Sequence, residues 1–258
     1  MSISKEFSEF SSGLETSRNK LLSSLGDSSD ITFIAGPGNT GDQLIWEGAY
    51  HLLKDIPYKK VSRTKLKKVE GETAILTGGG GWCSAFHSWP GYLKEIEERF
   101  ERVVIFPSSF DTSLEEVKQT LSRTKALVFA REQTSYQMIK DLCTADYAYD
   151  TAFFYDFEPF KKKGRGSLYA YREDRESNNY PIPENNNDIS VTCRSLSKWM
   201  KKIASYNTIY TDRAHVTIAS AMLGKEVFYR SSNYHKVQGI VDFSLKGFPV
   251  TFQEHWGE

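Results

Sequence analysis

The segment Thr211-Asp212-Arg213-Ala214-His215 speaks most directly of chemistry. A short apolar strand pattern ends at Thr211 and helical spacing follows, with Thr211 or Asp212 placed to cap. Arg213 and His215 are then expected in the helix's first turn. Cations there oppose the helix dipole unless an anion is bound. Free N–H groups, an arginine and a histidine together make an anion site with a proton donor beside it. A lone histidine is more often structural, but the pairing and the position favour function. Lys236 is a solvated surface lysine unless the fold carries it near His215. His51, His87, His235 and His255 show no metal-ligand spacing and read as structural or surface residues, so no metal is expected.

Three further segments place unusual residues after apolar runs. Gly36-Pro37-Gly38-Asn39-Thr40-Gly41-Asp42 fits G-x-G-x-x-G between a strand and a helix. Asp42 at the helix start would repel a pyrophosphate, and the next strand runs into Lys59, Lys60 and Arg63 rather than an acidic residue. The better reading is a tight turn aiming Asn39 and Asp42 at hydroxyl groups; an NADP site is the weaker one. Gly78-Gly79-Gly80-Gly81 is expected as a loop that lets a ligand approach the backbone and offers it N–H groups. Arg131-Glu132 ends an apolar run, with Ser135 a turn later. Arg131 either clamps a carboxylate or phosphate or forms a plain ion pair, and on these residues alone the two readings stand level.

The elements that must position these residues alternate. Strands are expected at 31–35, 73–77, 103–106, 126–130 and near Tyr147, and helices at 44–53, 92–100, 114–121 and 135–142. This alternation implies a parallel sheet covered on both faces, with ligands at its carboxyl edge. Residues 161–165 form a basic loop and 180–188 an Asn- and Pro-rich one. A second α/β stretch follows, with strands at 167–171, 189–193, 208–211 and 227–229 and helices at 197–204, 213–223 and 234–241. The fold class is therefore α/β with two Rossmann-like lobes, 31–155 and a smaller 156–258. Residues 1–30 precede them as a helical segment whose stripe of Phe7, Phe10, Leu14, Leu21, Leu22 and Leu25 packs on the body. A membrane-surface helix is the weaker reading, because its polar face is not strongly basic.

Composition narrows the class of partner. With 33 basic and 33 acidic residues the formal net charge is zero, which argues against binding nucleic acid through a basic surface. Hydrophobic content of 39% supports a real core, so disorder is excluded. The three cysteines, Cys83, Cys143 and Cys193, have neither zinc spacing nor a disulfide framework and fit a reducing compartment. The start of the chain does not read as a signal peptide, and no apolar run is long enough to span a bilayer. The expectation is a cytoplasmic protein, acting at the inner face of the membrane if its acceptor is lipid-linked.

The ordered set of these motifs resembles the polysaccharide pyruvyl transferases. The residues that carry the resemblance are Gly38-Asn39-Thr40-Gly41-Asp42, the four glycines 78–81, Pro107-Ser108-Ser109, Arg131-Glu132 with Ser135, Asp150-Thr151-Ala152-Phe153, Arg213-Ala214-His215 and Lys236. They run from about Ile31 to Gly239; residues 155–190 do not share in it. The resemblance implies a GT-B-like fold, phosphoenolpyruvate as donor, no separate cofactor, and a cyclic pyruvate ketal on a sugar or lipid-linked glycan of an exopolysaccharide, capsule or cell wall. Arg131, Arg213 and Lys236 would hold the donor, and His215 would act as general acid. Asp42 would be the second catalytic residue: Asp42 or Glu132 would act as base or hold the acceptor hydroxyls, with Asp42 favoured for the acceptor. Asn39, Gly41, Gly79, Gly80, Ser108 and Glu132 would supply acceptor or loop contacts. Rival expectations are a nucleotide-sugar glycosyltransferase of the same fold, an NADP oxidoreductase, and a glycan-binding module. An anion pocket with a proton donor argues against the last.

Overall fold

The computed structural model describes residues 2–86 and 88–254, so His87, His255 and the side chain of Phe7 lie outside what is described. Helix α1 (Ser2–Ser23) leads into strand β1 (Ile31–Ala35) and helix α2 (Thr40–Leu52). β2 (Lys59–Ser62), β3 (Gly71–Leu76), β4 (Gly79–Trp82), α3 (Pro90–Glu97) and β5 (Phe100–Phe110) follow, then α4 (Glu115–Leu121), β6 (Leu127–Ala130), α5 (Gln133–Ile139) and β7 (Ala145–Tyr147). These strands form a parallel sheet of order β2-β1-β3-β5-β6-β7, with β4 paired to β5. Apolar residues on both faces of β1, β3 and β5 explain its burial, since helices cover both sides.

The second sheet has the order β11-β10-β9-β8, again all parallel. It comprises β8 (Ser167–Ala170), then α6 (Ile189–Thr192), α7 (Leu196–Ala204), β9 (Thr208–Thr211), α8 (Ala214–Met222), β10 (Glu226–Tyr229), α9 (Lys236–Ser244) and β11 (Val250–Phe252). The expected α/β class with parallel sheets is what the chain adopts.

The two sheets share apolar packing. One cluster joins Phe10 of α1, Leu44 of α2, Ala152 and Phe153 to Leu168, Trp199, Ile209 and Ile218 around the second sheet. Thr40 at the start of α2 donates its hydroxyl to the Cys193 carbonyl at 2.6 Å. Helix α1 packs on the body as expected: Leu21 and Leu25 are buried beside Ile31 and Phe33. Among the described residues no helix is long and apolar enough to cross a membrane.

Three elements depart from expectation. Residues 189–193, expected as a strand, form the single helical turn α6, because only Ile189 and Ser190 find a buried side while Val191 and Thr192 face outward. The glycine segment is not a loop: Gly79 to Trp82 add β4 to the sheet, with Gly79 opposite Ser108. Strand β5 continues through Pro107-Ser108-Ser109, where the register with β6 shifts between Ile105 and Ser108. A proline lacks the ladder N–H, so a strand tolerates it at such an irregularity.

Candidate active site

The strand order reverses between β1 and β3, and a parallel sheet opens a crevice at such a switch point. A cleft of about 450 Å³ lies there. Gly36 to Asn39 enter it from the end of β1 and Thr77, Gly78, Gly80 and Gly81 from the end of β3. Arg131 comes from the end of β6. The second sheet contributes Arg172, Asp174 and Glu176 after β8, Arg213 and His215 after β9, and Lys236 at the start of α9. Carboxyl ends of strands from both sheets thus converge on one space.

Its centre is a buried Arg131–Asp150–His215 cluster. Arg131 is 1% exposed; its Nε donates to Ser109 Oγ at 2.8 Å and its Nη1 to Asp150 Oδ2 at 2.8 Å. Nε2 of His215 lies 3.4 Å from Arg131 Nη1 and 3.7 Å from Asp150 Oδ2, and Nδ1 lies 3.8 Å from Asp42 Oδ1. Burial works against an ionised Asp150, but the His215 hydrogen bond and the charges of Arg131 and His215 outweigh it. They hold its carboxyl well below the usual carboxylate range. Among the described residues Arg131 Nη2 makes no hydrogen bond, so the ion pair fixes the guanidinium while one nitrogen stays available.

Arg213 is anchored in the same way. Its Nε donates to Asp188 Oδ1 at 2.6 Å, and its Nη2 bonds both Asp188 and Asp174, the latter at 2.9 Å. Burial opposes the charge, but Asp188 and Asp174 overcome it and raise the guanidinium's affinity for its proton. Beside it, Lys236 Nζ donates to both oxygens of Glu176 at 2.7 and 2.6 Å, and Arg172 Nη1 bonds Glu176 as well. Burial, reinforced by the Arg172 charge, pushes the Lys236 ammonium well below the ordinary lysine range. The expected cation cluster therefore exists, but each member carries its own carboxylate, as burial of charge demands.

The start of α8 is open. Arg213 is its N-cap residue rather than part of its first turn, and no side chain caps the helix; Thr211 Oγ1 accepts the Arg213 N–H instead. Ala214 and His215 face the cleft. Helix α2 is the opposite case. Asn39 Oδ1 accepts from Gly41 and Asp42 N–H groups, and Asp42 Oδ2 accepts from Asn39 N–H at 2.8 Å, a reciprocal capping box. The cap occupies Asn39 Oδ1 and Asp42 Oδ2, and leaves the Asn39 amide nitrogen and Asp42 Oδ1 at the cleft. The turn that resembles a dinucleotide fingerprint spends its N–H groups internally.

Of the residues expected at the site, Asn39, Gly41, Asp42, Gly80, Arg131, Arg213, His215 and Lys236 line this one cleft. Gly79, Ser108 and Glu132 do not. Gly79 is required by its backbone, with φ of +117° and a Cβ that would sit 2.9 Å from Ile45 Cδ1. Ser108 is buried in β5 and donates to the Phe106 carbonyl at 2.8 Å. Glu132 is buried as the N-cap of α5, accepting from Ser135 N–H at 2.9 Å and lying 3.2 Å from His235 Nε2. His235 is half-buried in that contact, and His51 is exposed.

Comparison with known proteins fits this geometry. The family model described as polysaccharide pyruvyl transferase matches residues 39–234. The chain belongs to the polysaccharide pyruvyl transferase family. No curated protein matches the sequence. The structure is similar to the crystal structure of a functionally uncharacterized protein of Klebsiella pneumoniae, with a TM-score of 0.77 and 23% identity, covering 94% of this chain and 99% of that one. At that identity the likeness speaks for the fold.

Within this pyruvyl transferase chain, sequence reasoning left five charged residues of the site unassigned: Asp150, Arg172, Asp174, Glu176 and Asp188. Asp150 carried a signal, since it lies in a motif following the strand at Tyr147. Arg172, Asp174, Glu176 and Asp188 sit in a stretch without periodicity, and nothing in their spacing points at the cleft.

Proposed function

We propose that this chain transfers the pyruvyl group of phosphoenolpyruvate to two hydroxyls of one sugar in a polysaccharide or its lipid-linked precursor, at the cytoplasmic face of the membrane. The product is a cyclic ketal, and phosphate is released. The observation that carries this reading is the open start of α8, where uncapped N–H groups, Arg213 and His215 meet Arg131 in one cleft. A donor bearing a carboxylate and a phosphate needs two cationic anchors, and Arg131 and Arg213 each hold a guanidinium fixed by a carboxylate. Lys236 adds a third contact. Arginines and helix N–H groups stabilise charge on the departing phosphate.

The chemistry balances on these residues. His215 gives a proton to the donor's methylene carbon, which makes C2 electrophilic. The first sugar hydroxyl forms a C–O bond to C2. The C2–O bond to phosphate breaks, and the second hydroxyl closes the ketal. One hydroxyl proton restores His215 and the other leaves with phosphate. Asp42, whose Oδ1 lies on the His215 side of the cleft, contacts the acceptor hydroxyl. Asp150 keeps the imidazole and Arg131 in register and does not itself react.

The test is a thermal shift with phosphoenolpyruvate, run against UDP-sugars and NADPH. Phosphoenolpyruvate alone should raise the melting temperature saturably, and Arg213→Ala should abolish that shift. His215→Ala should keep the shift but release phosphate about 10²–10⁴-fold more slowly with acceptor present. A shift with a nucleotide and none with phosphoenolpyruvate would overturn the proposal.

A further inference from the structure

The floor and the mouth of the cleft differ chemically. Buried cations and their carboxylates make the floor, whereas Trp46, Phe86, Trp89 and Val191 line the remainder. Trp89 is structurally committed. It is 2% exposed, a Cβ at Gly36 would come within 2.9 Å of its ring, and the Arg63 guanidinium lies 5.6 Å from it. The other three remain at least partly open, Phe86 with the Arg175 guanidinium 5.9 Å from its ring. Trp46 is half-buried on α2, whose apolar neighbours Leu44, Ile45 and Ala49 are fully buried. Phe86 is 42% exposed in the turn after β4, and Val191 is 66% exposed on α6.

Single exposed apolar residues need no explanation. Here three of them, from three elements and both sheets, rim one charged cleft. Ser190 stands among them, and its hydroxyl has no hydrogen-bond partner among the described residues. Apolar side chains beside an unsatisfied hydroxyl match a pyranose ring, which has a C–H face and a rim of hydroxyls. They match an acyl chain poorly, because the cleft floor is ionic. We propose that Trp46, Phe86 and Val191 form the acceptor subsite: the sugar ring packs its C–H face on Trp46 and Phe86, with Val191 across from them and Ser190 bonding a hydroxyl. This assignment rests on the pyruvyl-transfer reading for its acceptor and goes beyond it in naming the residues and the ring-stacking mode. It also replaces Ser108 and Glu132, which the fold turns away from the cleft.

The test compares the wild type with Trp46→Ala and Phe86→Ala. Probes are the p-nitrophenyl β-glycosides of galactose, glucose and N-acetylglucosamine. Glycoside binding is measured by titration calorimetry with and without phosphoenolpyruvate, and turnover by phosphate release. Each variant should weaken glycoside binding and raise the glycoside KM about tenfold, the scale of one lost aromatic contact. The thermal shift with phosphoenolpyruvate should stay at its wild-type size. Phe86 is exposed, so Phe86→Ala keeps the test open if Trp46→Ala does not fold. Unchanged glycoside affinity in Phe86→Ala, or a wild type that binds phosphoenolpyruvate but none of the glycosides, would overturn the subsite. Glycoside binding lost in the variants without any wild-type shift by phosphoenolpyruvate would instead sink the donor reading and leave the sugar site standing.

Discussion

Asp150 shows what a single residue does in this site. It is fully buried, bonds Arg131 and the Ala152 N–H, and faces His215. Asp150→Asn removes the charge and leaves Arg131 buried without its counter-ion. The expected cost is about 3–5 kcal/mol of stability, read as a lower denaturation midpoint, together with loss of phosphate release as His215 loses its register. A variant with wild-type stability and turnover would show that the cluster is dispensable. The pH dependence follows from the sign of the shift. Asp150 and Glu132 both have carboxyl groups depressed in the folded state. Their contribution is fully present above the unfolded carboxylate values near pH 4 and is lost as pH falls through the folded values. Denaturant titrations should therefore show stability falling steeply below about pH 4.5, with a shallower slope in Asp150→Asn; an equal slope would show that Asp150 is not depressed. Arg131, Arg213 and His215 were legible because arginine and histidine at strand ends are chemically conspicuous. Asp150 was visible only as a motif, since a carboxylate that acts by pairing in three dimensions leaves no spacing of its own.

At the scale of elements, the two helix starts in the cleft have opposite roles. Helix α2 is closed by its own Asn39 and Asp42, and α8 is left open. Asn39→Ala should cost about 1 kcal/mol through the lost cap and should free Asp42 from its position facing His215. Thermal denaturation together with phosphate-release kinetics checks this: a stability loss without any change in KM for the acceptor would confine Asn39 to the cap alone. Strands β1, β3, β6, β9 and β10 were readable because each is a short apolar run ended by a turn signal. The errors have a common origin. Ile189-Ser190-Val191-Thr192 alternates like a strand, but only Ile189 and Ser190 find a buried side, and the Arg213–Asp188 pair fixes the start of the turn. Pro107 and the four glycines look like turn residues, yet Pro107 lies in β5 and Gly79, Gly80 and Gly81 lie in β4, with Gly78 just before it. A Cβ at Gly78 would collide with the Pro107 carbonyl, so that glycine lets the chain pack against β5 at the edge of the cleft.

For the whole molecule, the question is whether the two sheets are independent units, as the alternation of elements on either side of Tyr155 suggests. The packing answers against independence. Phe10 of α1 stacks with Tyr149 at 5.7 Å and meets Phe248 edge-on at 5.0 Å, so the first helix touches elements beside both sheets. Leu44 and Phe153 belong to the same apolar cluster as Trp199 and Ile209. Tyr234 donates its hydroxyl to the Phe110 carbonyl, while its neighbour His235 lies 3.2 Å from Glu132. Separating the sheets would expose the shared cluster and strand the buried charges that meet in the cleft, which is a larger loss than either half could recover by itself. Calorimetry should therefore show one transition, with equal calorimetric and van't Hoff enthalpies. Phe10→Ala removes a buried aromatic and should lower the stability of the whole by about 3–5 kcal/mol, shifting that one transition without splitting it. Two resolved transitions in the wild type, or a residue 156–254 fragment that folds alone, would show instead that the cleft is a hinge between autonomous parts. In a single unit the geometry of the cleft is set at folding, with Arg131 and Arg213 already held in place by their carboxylates.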